Sequence, residues 1–132
     1  MPVRVKFSTK GFDEWLERVA QAGKSVDQVT DRALDAGGEV RLVGMRQRVP
    51  KDTHNLENNL SVDGPKADGN YHYIEVGLNR DVDADTARYG TVQEYGAVDT
   101  PAQPYIRPTL DTDLGKARAA MRQVFKEELG LE

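Results

Sequence analysis

The sequence predicts an α+β fold, in which a small antiparallel sheet of three to four strands packs against a long helix and a C-terminal helix. Apolar residues recur at helical spacing over residues 26–43 and 110–124, and they alternate with polar residues over 3–7 and 71–78. The strand patterns cluster in the middle of the chain instead of alternating with helices, which disfavours a parallel βαβ arrangement.

The N-terminal part is expected to form one strand and two helices. Residues 3–7 alternate between apolar and basic, as in a half-buried strand. Residues 12–22 then carry apolar side chains at helical spacing, and Gly23 is a typical helix stop. The second helix opens at Ser25, which is spaced from Gln28 as in a capping box, where each side chain satisfies a free backbone donor.

The second helix is the longest predicted element, and Pro50 ends it. Its aspartates lie early and its arginines lie late, as the helix dipole favours. Gly37 and Gly38 fall in its middle, where each costs ~1 kcal/mol relative to alanine. They permit either a close helix crossing or a kink, and the sequence leaves both open. The apolar stripe comprises Val26, Val29, Ala33, Ala36, Val40 and Val43.

The central part is expected to hold the remaining strands. Residues 51–59 form a polar turn, residues 60–62 resemble a short strand, and residues 63–70 are typical of a hairpin connection. Residues 71–78 give the clearest strand, with Ile74, Val76 and Leu78 on one face. An acidic loop over residues 79–85 follows.

The C-terminal part begins with residues 87–96, which fit neither the helical nor the strand period. The sequence leaves open whether they form a helix or a strand. A proline-rich extended arm covers residues 97–108, and Pro108 suits the first turn of a helix. The last helix covers residues 109–130. Its predicted core stripe is Leu110, Leu114, Ala117, Met121 and Val124.

A length of 132 residues favours one domain. Within this single domain over residues 1–132, we distinguish the N-terminal strand and helices (1–50), the central strands and loops (51–96), the proline-rich arm (97–108) and the C-terminal helix (109–130).

Composition excludes several classes of function. The net charge of −4 argues against nucleic acid as the main ligand, although it permits a local basic patch. The absence of cysteine excludes disulfides, thiolate metal sites and a cysteine nucleophile. No apolar run resembles a signal peptide or approaches the ~20 residues of a membrane span, so we expect a protein made and kept in the cytoplasm.

No motif predicts catalysis, a metal site or a cofactor. None of the three serines lies in a nucleophile elbow. Asp81, Asp83 and Asp85 have the spacing that opens a calcium loop, but the sixth and twelfth positions hold Thr86 and Val92 instead of glycine and glutamate. We therefore interpret the triplet as a solvated acidic loop.

A basic stretch at the end of the long helix has two interpretations. It comprises Arg41, Arg46, Arg48 and Lys51, with no acidic residue between positions 40 and 51. It could contact a phosphate backbone or an acidic partner. The interpretation we favour is an ordinary helix C-terminus whose cations match the dipole.

Two segments resemble a family of phage tail components. The family's pattern has a tyrosine, then glutamate–aromatic–glycine, then Gln-Pro-Phe-x-Arg-Pro-Ala-Leu, with an upstream turn Val-Pro-x-Asp-Thr-Gly-x-Leu. The matching residues here are Tyr89, Glu94-Tyr95-Gly96, Pro101, Gln103-Pro104-Tyr105-Ile106-Arg107-Pro108-Thr109-Leu110 and Val49-Pro50-Lys51-Asp52-Thr53-His54-Asn55-Leu56. The resemblance runs from about residue 25 to the end of the chain.

Three residues depart from this pattern. His54 stands where the family usually has glycine, so a side chain occupies a position that can require positive φ. Tyr105 replaces phenylalanine and Thr109 replaces alanine, which are milder changes.

The resemblance implies a structural virion protein that completes or joins the tail at the head–tail interface, or neck, of a long, non-contractile-tailed phage or prophage. It implies no catalysis, a homo-oligomeric ring, assembly in the bacterial cytoplasm, and partners such as the tail terminator, the tail tube or a head-completion protein. DNA would be only a passing cargo. The alternatives are a tail terminator ring or, in another class, a small host regulatory or nucleic-acid-binding module that uses the basic stretch.

The resemblance also suggests where contacts would form. The proline-rich arm could lie on a neighbouring subunit, since prolines reduce the entropy lost on ordering, or it could pin the last helix with Tyr105 in the core. Both interpretations remain open. The candidate contact residues are Tyr95, Pro101, Pro104, Tyr105, Arg107 and Pro108, and the candidate channel-facing acids are Asp81, Asp83 and Asp85.

Overall fold

The long helix of this chain lies between a small sheet and the C-terminal helix. The computed structural model describes residues 3–52 and 54–131. Its elements are β1 (Arg4–Ser8), α1 (Asp13–Gln21), α2 (Val26–Arg48), α3 (Asn55–Asn58), β2 (Leu60–Asp68), β3 (Tyr71–Leu78), α4 (Ala84–Tyr95), α5 (Arg107–Asp111) and α6 (Leu114–Glu128). Helix α2 packs on β2 and β3 with one side and on α6 with another. The predicted α+β class is therefore confirmed.

The sheet has three antiparallel strands in the order β1-β3-β2. Its central strand β3 directs Ile74, Val76 and Leu78 into the core, as the alternation predicted. Glu75 lies on the opposite face of the same strand and is also buried, and it is paired with Arg4 and Arg80. None of the helices in the described segments is long and apolar enough to cross a membrane.

Strand β2 is longer than the sequence predicted. The expected hairpin is confirmed, but the bounds of its connection, residues 63–70, were wrong, because β2 continues to Asp68 and only two residues separate it from β3. Its pairing with β3 shifts register between Asp63 and Lys66, around Gly64 and Pro65. A bulge on an edge strand accommodates a proline, which has no N–H to donate.

Helices α1 and α2 form where their spacing predicted. Ser25 caps α2 by accepting a hydrogen bond from the backbone N–H of Gln28 at 3.3 Å. Gly37 and Gly38 allow close packing and do not mark a kink, because α2 is continuous through both residues. A Cβ at Gly37 would lie 3.0 Å from Met121 Sδ of α6, and one at Gly38 would lie 3.1 Å from Ile74 Cδ1 of the sheet.

The buried side chains form two clusters along α2. One joins α1, α2 and α6 to the sheet, and the other joins the C-terminal half of α2 to α3, the sheet and the start of α5. Phe7 and Val62 of the sheet pack against both. The first comprises Phe12, Val19, Val29, Ala33, Leu34, Ile74, Met121, Val124 and Phe125, and the second comprises Leu42, Met45, Val49, Leu56, Leu60, Val76, Leu78, Tyr105 and Ile106.

The predicted C-terminal helix over residues 109–130 is two helices. Helix α5 ends at Asp111, and α6 begins only at Leu114. Asp113 lies at the junction, where its carboxylate accepts hydrogen bonds from Arg48 Nη1 at 2.6 Å and Nη2 at 3.0 Å. The junction turns Leu110 and Leu114 outward, so these two predicted core positions are about 40% exposed (41% and 38%).

The segment that fitted neither period is helix α4. Its buried residues are Thr86, Gly90, Gln93 and Glu94, which are polar or small. The apolar periodicity was weak because this helix buries few apolar side chains. Asp83 caps it, accepting from the backbone N–H of Thr86 at 3.2 Å.

The close approach of α2 and α6 generates the first prediction. Gly37→Val should lower the free energy of unfolding by about 1–3 kcal/mol, because a β-branched side chain overpacks the space held by Met121. The measurement is urea unfolding followed by circular dichroism. Gly115→Val in α6 is the matched control, since nothing lies within 4 Å of its Cβ position. Equal losses in the two variants would contradict the prediction.

The Arg48–Asp113 pair predicts a pH dependence. The hydrogen bond from Arg48 lowers the pKa of Asp113 below its usual value of 3.8. A carboxyl with a lowered pKa stabilises the fold above its unfolded value, and this contribution is lost as the pH falls through the folded value. Asp113→Asn should therefore reduce the free energy of unfolding by about 1–3 kcal/mol at neutral pH, and this reduction should shrink as the pH falls below 3.8 and through the lower pKa of the folded state.

Urea unfolding at several pH values measures this effect. Asp68→Asn is the control, because Asp68 is exposed and forms no ion pair with the described residues. A loss in Asp113→Asn that stays constant with pH would count against the electrostatic origin.

Candidate functional site

The loop between α4 and α5, residues 96–104, is the candidate functional site and is called here the α4–α5 loop. Helix α4 ends at Tyr95, and Gly96 follows with φ +82°. A Cβ at Gly96 would lie 3.1 Å from Ala102 N and Thr100 O, so the turn requires glycine. Backbone hydrogen bonds from Ala97 N to Thr100 O (2.9 Å) and from Thr100 N to Ala97 O (3.2 Å) then close a tight turn.

Glu94 anchors the far end of this loop. Its side chain is fully buried, and Oε1 accepts from the backbone N–H groups of Tyr105 at 2.9 Å and Ile106 at 2.8 Å. Oε2 accepts from Arg107 N and Arg107 Nε, both at 3.0 Å. Arg107 Nη2 also donates to the Glu94 carbonyl at 2.7 Å. One carboxylate therefore fixes the chain where it leaves the loop and enters α5.

The residues next to this anchor belong to the core. Tyr105 and Ile106 are buried in the second core cluster. The Tyr105 hydroxyl donates to Gly90 O at 3.1 Å, and burial raises the pKa of Tyr105. Gln103 N donates to Gln93 O at 2.7 Å, which ties the loop to α4 once more. The proline-rich arm had two interpretations. At its end near Tyr105, the arm packs into the chain's own core and holds the last helices, as one of them expected.

The predicted contact residues separate into two groups. Tyr95, Pro101 and Arg107 are exposed, and the guanidinium carbon of Arg107 lies 5.5 Å from the centroid of the Tyr95 ring. Tyr105 is fully buried and faces the chain's own core, so it offers no surface to a partner. Pro104 and Pro108 are partly buried.

Val98 is an exposed apolar residue that sequence analysis missed. It lies at the tip of the turn between Ala97 and Thr100. Its side chain is fully exposed to solvent, with a relative exposure of 108%. Tyr95, at the base of the same loop, is 62% exposed. The sequence offered no spacing signal for it, because a single valine among glycine, aspartate and proline belongs to no apolar period.

The acidic triplet is not a single loop. Asp81 precedes α4, Asp83 is its N-cap and Asp85 lies in its first turn. The Asp83 carboxylate is occupied by Thr86, and the hydrogen bond from the Thr86 hydroxyl lowers the pKa of Asp83. Asp85 lies 3.5 Å from Arg88, and both side chains are exposed. The sequence signal for this segment was therefore a helix N-terminus, where carboxylates are favoured.

The basic stretch is not a continuous surface either. Arg41 is buried, and its guanidinium carbon lies 3.6 Å from the centroid of the Phe7 ring. Arg48 is engaged by Asp113, and Lys51 donates to the carbonyl of Arg46. Of the four cations, Arg46 and Lys51 are exposed. These contacts account for the stretch without nucleic acid.

The turn after α2 contains the departure at His54. His54 has φ +58°, so the histidine adopts the left-handed conformation expected for the glycine it replaces. Its Nδ1 lies 2.9 Å from Glu57 Oε1, and Leu56 is buried in the second core cluster. Thr53 of the same motif lies outside the described residues. Over residues 3–52 and 54–131, no group of three or more His, Asp or Glu side chains is arranged to hold a metal ion.

Comparison with known proteins yields one match. A family model described as "Bacteriophage HK97-gp10, putative tail-component" matches residues 10–96. No curated protein and no solved structure matches the chain significantly. The matched segment contains α1 to α4 and the strands β2 and β3, and it ends at Gly96, where the α4–α5 loop begins.

The Glu94 anchor predicts a large effect of a nearly isosteric substitution. Glu94→Gln should lower the free energy of unfolding by about 3 kcal/mol. It replaces one carboxylate oxygen by an NH₂ group, which cannot accept a hydrogen bond from the buried N–H groups that face it. The matched control is Glu127→Gln, since Glu127 is exposed and lies 3.8 Å from Arg32. It should change stability by less than about 0.5 kcal/mol.

Urea unfolding measures both variants, and limited proteolysis reports on the loop. The Glu94→Gln protein should be cleaved faster within residues 96–104 than the wild type. If it unfolds like the control and resists cleavage equally, the anchoring role is incorrect.

Proposed function

The chain belongs to the HK97 gp10-like family of bacteriophage tail components, and from that membership we propose that it completes or joins the tail at the head–tail interface of a tailed phage or prophage. Family membership supports a structural role in the phage tail and a location in the virion. The position in the neck, the assembly into a homo-oligomeric ring and the assembly in the bacterial cytoplasm are the finer parts of the proposal.

The observation that carries this proposal is the α4–α5 loop. Val98 at the tip and Tyr95 at the base of this loop are both exposed and contribute little to the chain's own core, and aromatic residues are enriched at protein–protein interfaces, so a contact with another subunit would cover both. The turn hydrogen bonds and the Glu94 anchor hold this tip before any partner arrives. A contact segment that is already ordered loses little conformational entropy on binding.

The proposed partners are further copies of this chain and the neighbouring neck and tail proteins, such as the tail terminator, the tail tube or a head-completion protein. Double-stranded DNA would pass through the ring without being a specific ligand. Asp81 and Asp85 would favour this passage if they faced the channel, since carboxylates repel phosphates. An assembled ring with these residues on its outer rim would refute that detail.

Electron microscopy of particles whose copy of this gene is disrupted tests the proposal. We expect filled heads and free tails that do not join, and joining should be restored by adding the purified protein. Overlong tails would instead indicate a tail terminator. Normal infectious particles would overturn the virion role and favour a regulatory module.

The same assay tests the loop. Val98→Asp protein should fail to restore joining, because it places a charge at the proposed contact. Leu131→Asp, which adds the same charge at another exposed apolar residue, should restore it. Circular dichroism of both variants confirms that they fold before they are used.

A further inference from the structure

A pocket that shares no residue with the α4–α5 loop is lined by cations and by no acid. It lies between β1, the start of α1, α2 and α6, and its volume is about 400 Å³. Lys10, Arg41 and Arg118 line it together with apolar side chains that include Phe7 and Phe12. Lys6 also borders it, but its ammonium lies on the other face of the sheet, beside Tyr73. No carboxylate is among its lining residues as the structure describes them, although the chain carries a net charge of −4. We call it the cationic pocket.

Arg41 is the buried member of this group. It is 6% exposed, its guanidinium carbon lies 3.6 Å from the centroid of the Phe7 ring, and its Nε has no hydrogen-bond partner among residues 3–52 and 54–131. Burial lowers the pKa of Arg41 to about 10, and the charge of Asp113 partly offsets this effect. Both Asp113 oxygens, however, accept hydrogen bonds from Arg48. A buried cation without a paired anion is costly, and an incoming carboxylate would relieve that cost.

The other two cations of the pocket, Lys10 and Arg118, are not paired with acids either. The Arg118 guanidinium carbon lies 5.1 Å from the centroid of the Phe12 ring. Gly11 has φ +95°, and a Cβ there would lie 2.6 Å from Arg118 Nη2, so glycine makes room for that guanidinium. Lys6, Lys10 and Arg118 form no ion pair within the described part of the chain.

The shape of the pocket favours a peptide over DNA. Duplex phosphates lie on a convex, hydrated surface and are contacted by cations that reach outward. Arg41 is 6% exposed and lines a concavity, so it does not project outward toward a duplex phosphate. The aromatic walls suit an apolar side chain next to a carboxylate.

We propose that the cationic pocket binds the Val98–Asp99 tip of the α4–α5 loop from a second copy of this chain. The tip offers the complementary chemistry, because Val98 is fully exposed and the exposed Asp99 follows it in the same closed turn. The valine packs between the aromatic walls, and the carboxylate meets the cations. The inference rests on the proposed ring and names its contact surfaces.

The two surfaces belong to different parts of the chain, so the contact is heterologous. Each copy inserts its loop tip into the next copy and receives a tip from the one before. Heterologous contacts of this kind close into a ring when the rotation between subunits permits.

Site-directed cross-linking tests this contact, since the chain has no cysteine. Ala97→Cys protein and Ser8→Cys protein are mixed and treated with a short bis-maleimide. Ser8 lines the pocket, and Ala97 adjoins the tip. We expect a cross-linked heterodimer on a denaturing gel. Ala67→Cys paired with Ser8→Cys is the control, because Ala67 is equally small and exposed but lies on β2.

A charge exchange makes the test specific. Adding Asp99→Lys to the loop partner should reduce the cross-link about tenfold or more, and adding Lys10→Glu to the pocket partner of that same pair should restore it. Restoration requires that the two sites meet, which nonspecific association does not reproduce. The double variant with Ser8→Cys and Ala97→Cys should give a ladder of cross-linked multimers in restored particles.

Equal yields from the test and control pairs, both in solution and in restored particles, would overturn the inference. A cross-linking yield that stays the same after Asp99→Lys and after Lys10→Glu would also overturn it. Neither result affects the gene-disruption phenotype. The neck role and the loop-to-pocket contact are therefore tested separately.

Discussion

The Glu94 carboxylate is the interaction on which the C-terminal part of the structure depends. A buried carboxylate is stable only when its oxygens are fully hydrogen-bonded, and here three consecutive backbone N–H groups and the Arg107 side chain supply the donors. These donors come from the residues that leave the loop, enter the second core cluster and start α5. One anion thus determines where the loop ends, which residues become core and where the next helix begins.

Helix α2 transmits this arrangement to the rest of the fold. Its two central glycines allow α6 to approach on one side and the sheet on the other, and Arg48 near its C-terminus holds Asp113 at the junction of α5 and α6. The path from Glu94 through α5 to Asp113 therefore ends on the helix that both core clusters share. The exposed loop tip and the cationic pocket are separate surfaces of one connected framework.

The sequence predicted those elements whose apolar spacing is strong, and it missed those fixed by polar or backbone contacts. Strand β3 and helices α1 and α2 follow directly from periodicity. Helix α4 was ambiguous because it buries Gln93 and Glu94 instead of an apolar stripe. The extension of β2 depends on a bulge, and the break before α6 depends on an ion pair with a residue 65 positions earlier. At the candidate site, the motif residues were identified and the burial of Tyr105 was one of two open interpretations. The choice between them and the exposure of Val98 follow from tertiary packing that spacing does not encode.

The family match ends at Gly96, so the anchor Glu94 lies inside the matched segment and the loop that it holds lies outside it. The carboxylate accepts from backbone N–H groups at the loop's exit, which every residue except proline can provide. The residues at the tip of the loop can therefore be substituted without loss of these backbone hydrogen bonds. In this architecture, the surface that the loop tip presents is separable from the framework that holds it.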